Sequence, residues 1–171
     1  MKMILVFLIC VPLHIKIAQS YIGTTELTGH NDGVNVEKFL RSVGLSKGNP
    51  WCAAFVSNCL IEAGVREPSI RTALARKFIT KQSIKASDVL IGKVNIKPGT
   101  IVVWQKGNTV FGHVGFIEKQ IDKQNFITIE GNTSSGIKGS QSDGDGVYRR
   151  SRAIQPANYF RITAFTLVKK G

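Results

Sequence analysis

The stretch Asn49-Pro50-Trp51-Cys52-Ala53-Ala54-Phe55-Val56-Ser57-Asn58-Cys59-Leu60-Ile61-Glu62-Ala63-Gly64 decides how the rest of the chain is read. It predicts a helix with marked ends. Asn49 suits the N-cap, where a side-chain oxygen accepts from a first-turn N–H. Pro50 suits the first helical position, where a missing N–H costs nothing, and Gly64 suits the stop. Cys52, Phe55, Val56, Cys59, Leu60 and Ala63 recur at helical spacing, so one face is expected to be buried, with Cys52 in the first turn. The unpaired N–H groups and the dipole at a helix N-terminus favour negative charge. They favour a thiolate there, the nucleophilic form of cysteine, and they can stabilise an oxyanion. On position alone a buried structural cysteine is the simpler reading. The residues downstream decide between the two.

Working outward, the N-terminus reads differently from the rest. Lys2 gives a basic start, Met3 to Leu13 is an apolar run, and Ala18-Gln19-Ser20 offers small residues at the positions a signal peptidase reads. Residues 1–20 are therefore expected to be a signal peptide and 21–171 the mature domain, exported to the periplasm or secreted. The apolar run is shorter than the roughly 20 residues a bilayer span needs, so no stable membrane insertion is expected after cleavage. Ile15 and Ile17 extend the apolar character, which keeps a retained N-terminal anchor as the alternative. Bulky Ile9 before Cys10 argues against a lipoprotein box.

The chain of 171 residues, 43% hydrophobic and 20% charged, suits one globular domain with its own core. Without the signal its cysteines are Cys52 and Cys59. Seven residues apart on one helix, their Cα atoms lie about 10 Å apart, beyond the roughly 4.4–6.8 Å of a disulfide. An exported protein with an unpaired thiol at a helix start asks for a chemical role. The formal net charge of +12 falls to about +10 without Lys2 and Lys16, with Arg149-Arg150-Ser151-Arg152 and Lys169-Lys170 the bunched positions. This balance favours anionic partners such as wall polymers, and export argues against nucleic acid.

Tyr21 to Gly33 is rich in turn formers. A short helix follows, with Val36, Phe39, Leu40 and Val43 inward and Gly44 as its stop. Asn31, Asp32, Asn35 and Glu37 are oxygen-bearing but lack EF-hand spacing, so a capped helix start is preferred to a calcium loop. Ser69 to Lys81 is expected as a helix with Leu74 and Phe78 inward, and Lys85 to Val94 as irregular chain or short helix. Strands are then expected at residues 100–104, 112–118, 126–130, 147–152 and 162–168, with a Gly- and Ser-rich loop from Ser134 to Gly146. Helices first and an antiparallel meander second give an α+β domain.

A thiolate nucleophile needs a base, and the base an orienting group. The mature chain holds His30, in a turn-rich segment, and His113, at the head of a strand between Gly112 and Gly115. Glu130 ends the next strand. A symmetric hairpin about residues 122–125 sets Ile117 opposite Glu130 and puts His113 and Glu130 on one face, but leaves them offset by four residues. A shifted turn or a bend at Gly115 would close the gap.

Pro50-Trp51-Cys52-Ala53-Ala54-Phe55-Val56, Gly112-His113-Val114-Gly115 and Ile129-Glu130-Gly131-Asn132-Thr133 together resemble the three blocks of the CHAP domain, the cysteine- and histidine-dependent amidohydrolases and peptidases of the papain-like superfamily. Glu26, Gly29 and Asn31-Asp32-Gly33 resemble that family's lead-in segment. The resemblance implies a papain-like α+β fold, with N-terminal helices packed on an antiparallel sheet, that hydrolyses amide bonds of peptidoglycan. It implies Cys52 as nucleophile, His113 as base and then acid, Glu130 as the group orienting the imidazole, and Asn132 as a further polar group at the site. The calcium loop of some phage members of that family is not recognisable here, no cofactor or metal is expected, and a monomer is expected. A protein-directed cysteine protease and a silent wall-binding module are the alternatives.

Overall fold

The computed structural model describes residues 11–136, 144–154 and 160–169. Most of the apolar run Met3–Leu13, all of Cys10, the middle of the expected loop Ser134–Gly146 and the end of the Lys169-Lys170 pair fall outside those residues. Helices α1 (Leu13–Ser20), α2 (Val34–Arg41) and α3 (Cys52–Glu62) come first. Strands β1 (Ile84–Lys85), β2 (Ile101–Lys106), β3 (Gly112–Gln120), β4 (Asn125–Thr133), β5 (Gly146–Ala153) and β6 (Phe160–Thr166) follow, with the short α4 (Ala86–Leu90) between β1 and β2. They form one six-stranded sheet in the order β1-β6-β2-β3-β4-β5, antiparallel at every pairing. The α+β arrangement expected from the sequence is the one observed.

α3 is the centre of the main core. Every residue from Cys52 to Leu60 is buried, not one face alone. A helix apolar nearly all round can only be an interior one. Its two polar residues there are satisfied: Ser57 Oγ accepts from the Thr72 amide at 3.0 Å, and Asn58 Nδ2 donates to Glu62 at 2.8 Å. α1, α2, β3 and β4 all pack against α3. Phe39, Phe55 and Phe116 stack edge-on through this layer, with ring centroids 5.4 and 6.3 Å apart. A second, smaller cluster under α4 joins Val102, Trp104, Ile117, Phe126 and Phe165.

α1 belongs to this core. Ile15 and Ala18 are fully buried in it, and the buried His14 donates from Nε2 to the Gly99 carbonyl at 2.9 Å. Gln19 donates to Glu118 at 2.7 Å. Burial pulls the His14 pKa down, only partly offset by the bond to Gly99. No helix among the described residues is long and apolar enough to cross a membrane.

Two local expectations fail for identifiable reasons. Asn49 does not cap α3; its amide donates to the Ser46 carbonyl at 3.0 Å, and the N-cap position is taken by Trp51. Ser69–Lys81 is not a continuous helix but holds only the 3₁₀ turn Ala75–Phe78, with Phe78 buried and Leu74 exposed. Arg71 bonds the carbonyls of Pro68 and Ile70, and the Thr72 amide is tied to Ser57, so this backbone is spoken for by side chains that compete with helical bonding. Near Asn31–Glu37 the oxygen-bearing residues serve the start of α2: Asp32 accepts from the Thr28 amide and hydroxyl, and Glu37 reaches back to the Gly33 amide.

Candidate active site

Three elements that are distant in sequence meet at the start of α3. Pairing between β3 and β4 sets Gly115, not Ile117, opposite Glu130. Two local features account for the difference from a symmetric hairpin. The turn closes with the Ile121 amide donating to the Asn125 carbonyl, and the register shifts again between Ile117 and Lys119, where Glu118 is bulged. Each moves the pairing by one residue. The total of two preserves the facing of the side chains and halves the offset between His113 and Glu130. His113 Nε2 donates to Glu130 Oε2 at 2.9 Å.

The glycines flanking His113 make this approach possible. A Cβ on Gly115 would lie 2.7 Å from Glu130 Cγ and 2.9 Å from the Ile129 carbonyl oxygen. A Cβ on Gly112 would meet the Trp104 carbonyl oxygen at 2.3 Å. Trp104 faces His113 across β2–β3, with the rings 5.3 Å apart.

The Cys52 thiol lies beside the same imidazole and, with Glu130, acts to raise its pKa. With Nε2 engaged by Glu130, Nδ1 is the ring nitrogen left for the thiol. Cys52 and His113 retain 8% and 9% exposure while Glu130 has none, so the thiol and imidazole are reachable and the carboxylate is sealed behind them. Burial by itself would lower the His113 pKa. The hydrogen bonds and negative charges of Cys52 and Glu130 more than offset it and raise the value to about 9. Glu130 shows the opposite balance. Burial opposes its ionisation, but hydrogen bonds and charge from Arg152 and His113 hold its carboxyl well below the usual range. Cys59 is free, buried and apart from this cluster, and burial pushes its thiol pKa well up.

Asn132 sends its side-chain hydrogen bonds to Trp51, Gly144 and Asn31 and not to His113 or Glu130. It sits in the left-handed region at φ 53°, and its Oδ1 accepts from the Trp51 amide at 2.9 Å. Its Nδ2 donates to the Gly144 carbonyl at 2.7 Å. The backbone amide of the N-cap residue is therefore satisfied from β4 and not by the residues just before the helix. The Trp51 indole donates to Glu26 at 2.8 Å, and Glu26 also accepts from the Asn31 amide. Gly131 lets Trp51 and Phe55 close on β4, since a Cβ there would lie 2.8 Å from both. The lead-in segment and the Glu-Gly-Asn block thus clamp the residue immediately before the thiol.

Arg152 on β5 is the residue that sequence reading missed. It grips Glu130 with two donors, Nε to Oε1 at 2.8 Å and Nη2 to Oε2 at 2.6 Å. The Thr128 and Thr133 hydroxyls also donate to the same carboxylate. Its neighbours in the basic run are committed too: Arg149 pairs with Glu118 at 2.7 Å, and Arg150 donates to the Ser134 carbonyl. The bunched arginines each have a partner, Arg150 and Arg152 partly buried and Arg149 exposed at the surface. The only signal available was alternation along a strand, which places Arg150 and Arg152 on the same side.

The parts required for thiol-based acyl transfer are present: a thiol at a helix start, an imidazole beside it, and a fixed carboxylate behind the imidazole. Among the described residues no group of three or more His, Cys, Asp or Glu side chains is arranged to hold a metal ion. An α+β domain whose central helix delivers a thiol to a histidine on an antiparallel sheet falls in the papain-like class of folds. The chain belongs to the CHAP domain family, which matches residues 44–132, just over half of its length. That family is generally hydrolytic and directed at peptidoglycan. The matched region contains Cys52, His113, Glu130 and Asn132 and ends short of Arg152. No curated protein matches the chain.

Proposed function

We propose that the protein hydrolyses an amide bond of peptidoglycan, as an N-acetylmuramoyl-L-alanine amidase or an endopeptidase, with Cys52 as nucleophile. The observation that carries this reading is the imidazole of His113, bonded to the buried Glu130 carboxylate and set beside the Cys52 thiol. The Cys52 thiolate attacks the scissile carbonyl carbon, and the carbonyl oxygen takes the negative charge. The first-turn N–H groups of α3 have no partner within the helix and stabilise that oxyanion. His113, as imidazolium, gives its proton to the leaving amine as the C–N bond breaks and a thioester forms. Water then attacks the thioester with His113 taking its proton, and the carboxylate product leaves as the thiol is restored. Glu130 keeps the ring aligned and balances its charge in both steps.

The apolar N-terminus supports export, and the packing of α1 bears on how that occurs. Cleavage after Ser20 would remove His14, Ile15 and Ala18 from the core. Retention of Leu13–Ser20, by processing upstream or as part of an N-terminal anchor, keeps the domain whole.

The test is mass spectrometry of purified peptidoglycan digested by the wild type and by Cys52→Ala. Fragments from the wild type alone support the reading. Intact stem peptides freed from glycan would identify an amidase, and shortened or uncrosslinked stems an endopeptidase. Absence of fragments from several wall chemistries, with Cys52 titratable and the protein folded, would overturn it in favour of a protein substrate or a binding role.

A further inference from the structure

We propose that Arg152 is a positioning residue of the site: its two-pronged grip aims the Glu130 carboxylate at His113 and limits how much negative charge that carboxylate lends to the imidazole. This rests on the reading of Cys52 and His113 as the reacting pair. The geometry is specific. Glu130 is fully buried, and an isolated buried carboxylate would be strongly disfavoured. Both of its oxygens are taken by the planar guanidinium, a match that only arginine can make with two parallel bonds. Oε2 is shared, since it accepts from Arg152 at 2.6 Å and from His113 at 2.9 Å. Two cationic groups therefore compete for one anion. The Arg152 guanidinium also lies 5.7 Å from the Trp104 ring, whose centroid is 5.3 Å from that of His113, so the two cations flank one aromatic wall.

The other charged groups near this cluster are occupied elsewhere. On β5, Arg150 donates to the Ser134 carbonyl and adds a longer-range positive field, and Tyr148, opposite Glu130, has its pKa raised by burial and by Asp145. On β3, Glu118 belongs to Arg149 and Gln19. On the 3₁₀ turn packed against β3, Arg76 bonds the Thr109 carbonyl. On α3 the group facing His113 is Cys52 itself. Arg152 is thus the direct cationic counterweight to His113 at Glu130. Without it, Glu130 would bind the imidazolium more tightly, and the ring would give up its proton less readily to a leaving group.

The experiment is histidine side-chain NMR titration of the full chain, with the rate of Cys52 alkylation by iodoacetamide followed by peptide mapping. Neither readout requires the peptidoglycan substrate, so failure here is distinct from failure of the proposed activity. In Arg152→Gln the His113 midpoint should move up by about one pH unit, the size expected for one nearby charge. In Arg152→Lys, which keeps the charge but loses the fork, the midpoint should stay within a few tenths of a unit. The Nε2–H resonance should weaken or shift there, and Cys52 alkylation should slow severalfold. A folded Arg152→Gln with an unmoved His113 midpoint would overturn the proposal. If Arg152→Gln does not fold, Arg152→Lys decides alone: an unchanged Nε2–H resonance together with an unchanged alkylation rate would overturn it equally.

Discussion

Gly115 lies directly opposite Glu130 in the β3–β4 ladder, and the Glu130 side chain crosses the space a Gly115 Cβ would fill. The glycine is what lets a carboxylate on one strand reach a histidine two residues along the next. Gly115→Ala should therefore leave the sheet paired but displace the carboxylate. A misplacement near 1 Å at a reacting group costs about a hundredfold in rate. We expect kcat to fall by about that factor while far-UV circular dichroism stays that of the wild type. Wild-type kcat in a folded Gly115→Ala would show that the carboxylate tolerates displacement.

The two cysteines should separate cleanly. Cys52→Ala should abolish hydrolysis with the fold intact. Cys59→Ala should leave kcat within about twofold and cost about 1 kcal/mol of stability by loss of core packing. Parallel turnover and urea-unfolding measurements on the two variants check this. Inactivation by Cys59→Ala instead would reassign the nucleophile.

Asn132 should act through α3 and not on the imidazole. Asn132→Gly keeps the left-handed backbone available and removes only the side chain that accepts from Trp51. Losing one such hydrogen bond costs about 1 kcal/mol. Denaturant unfolding should show that loss, while the His113 titration in NMR stays where the wild type has it. A moved His113 midpoint would place Asn132 in electrical contact with the ring.

α1 should be needed for stability. Ile15→Ala should cost about 3 kcal/mol, the usual size for emptying a fully buried aliphatic site. A chain starting at Tyr21 should lose more, because the His14–Gly99 and Gln19–Glu118 bonds go as well. Thermal unfolding of the two forms against the wild type measures this, and an unchanged midpoint for the shortened chain would show α1 to be dispensable.

Stability should also depend on pH through the site. His113 is held above its ordinary value of 6.5, at about 9. Its contribution is complete below about pH 6.5 and fades as pH rises through about 9. Glu130 is held below its ordinary value of 4.5, so its contribution is present above that pH and is lost as pH falls through its lowered value. In Cys52→Ala the histidine loses one of the two partners that raise it. The alkaline decline in melting temperature should then be smaller and end at lower pH than in the wild type, and superimposable profiles would contradict the coupling.

What could be read from sequence was what local pattern encodes. The strands β2 to β6 fall where alternation and turn residues put them, and Cys52, His113 and Glu130 stood out through residue type and glycine neighbours. The correct facing of His113 and Glu130 followed from strand parity, but the distance did not, because a bulge at Glu118 leaves no mark in composition. Asn49 misled because capping preference is local, whereas the amide at this helix's N-cap position is met by Asn132 from another element. Arg152 was hidden for a related reason. In a row of three arginines, only the register between β4 and β5 tells which one meets the carboxylate.

The thiol is carried by the third helix of the chain, whereas its base, its carboxylate and the arginine behind them come from three strands that follow much later in sequence. No local segment can assemble the site. Contacts so far apart in sequence form slowly and together, once the sheet has closed over the helix. On the proposed reading, catalytic competence would therefore arrive only with the completed fold, and a partly folded chain would be latent.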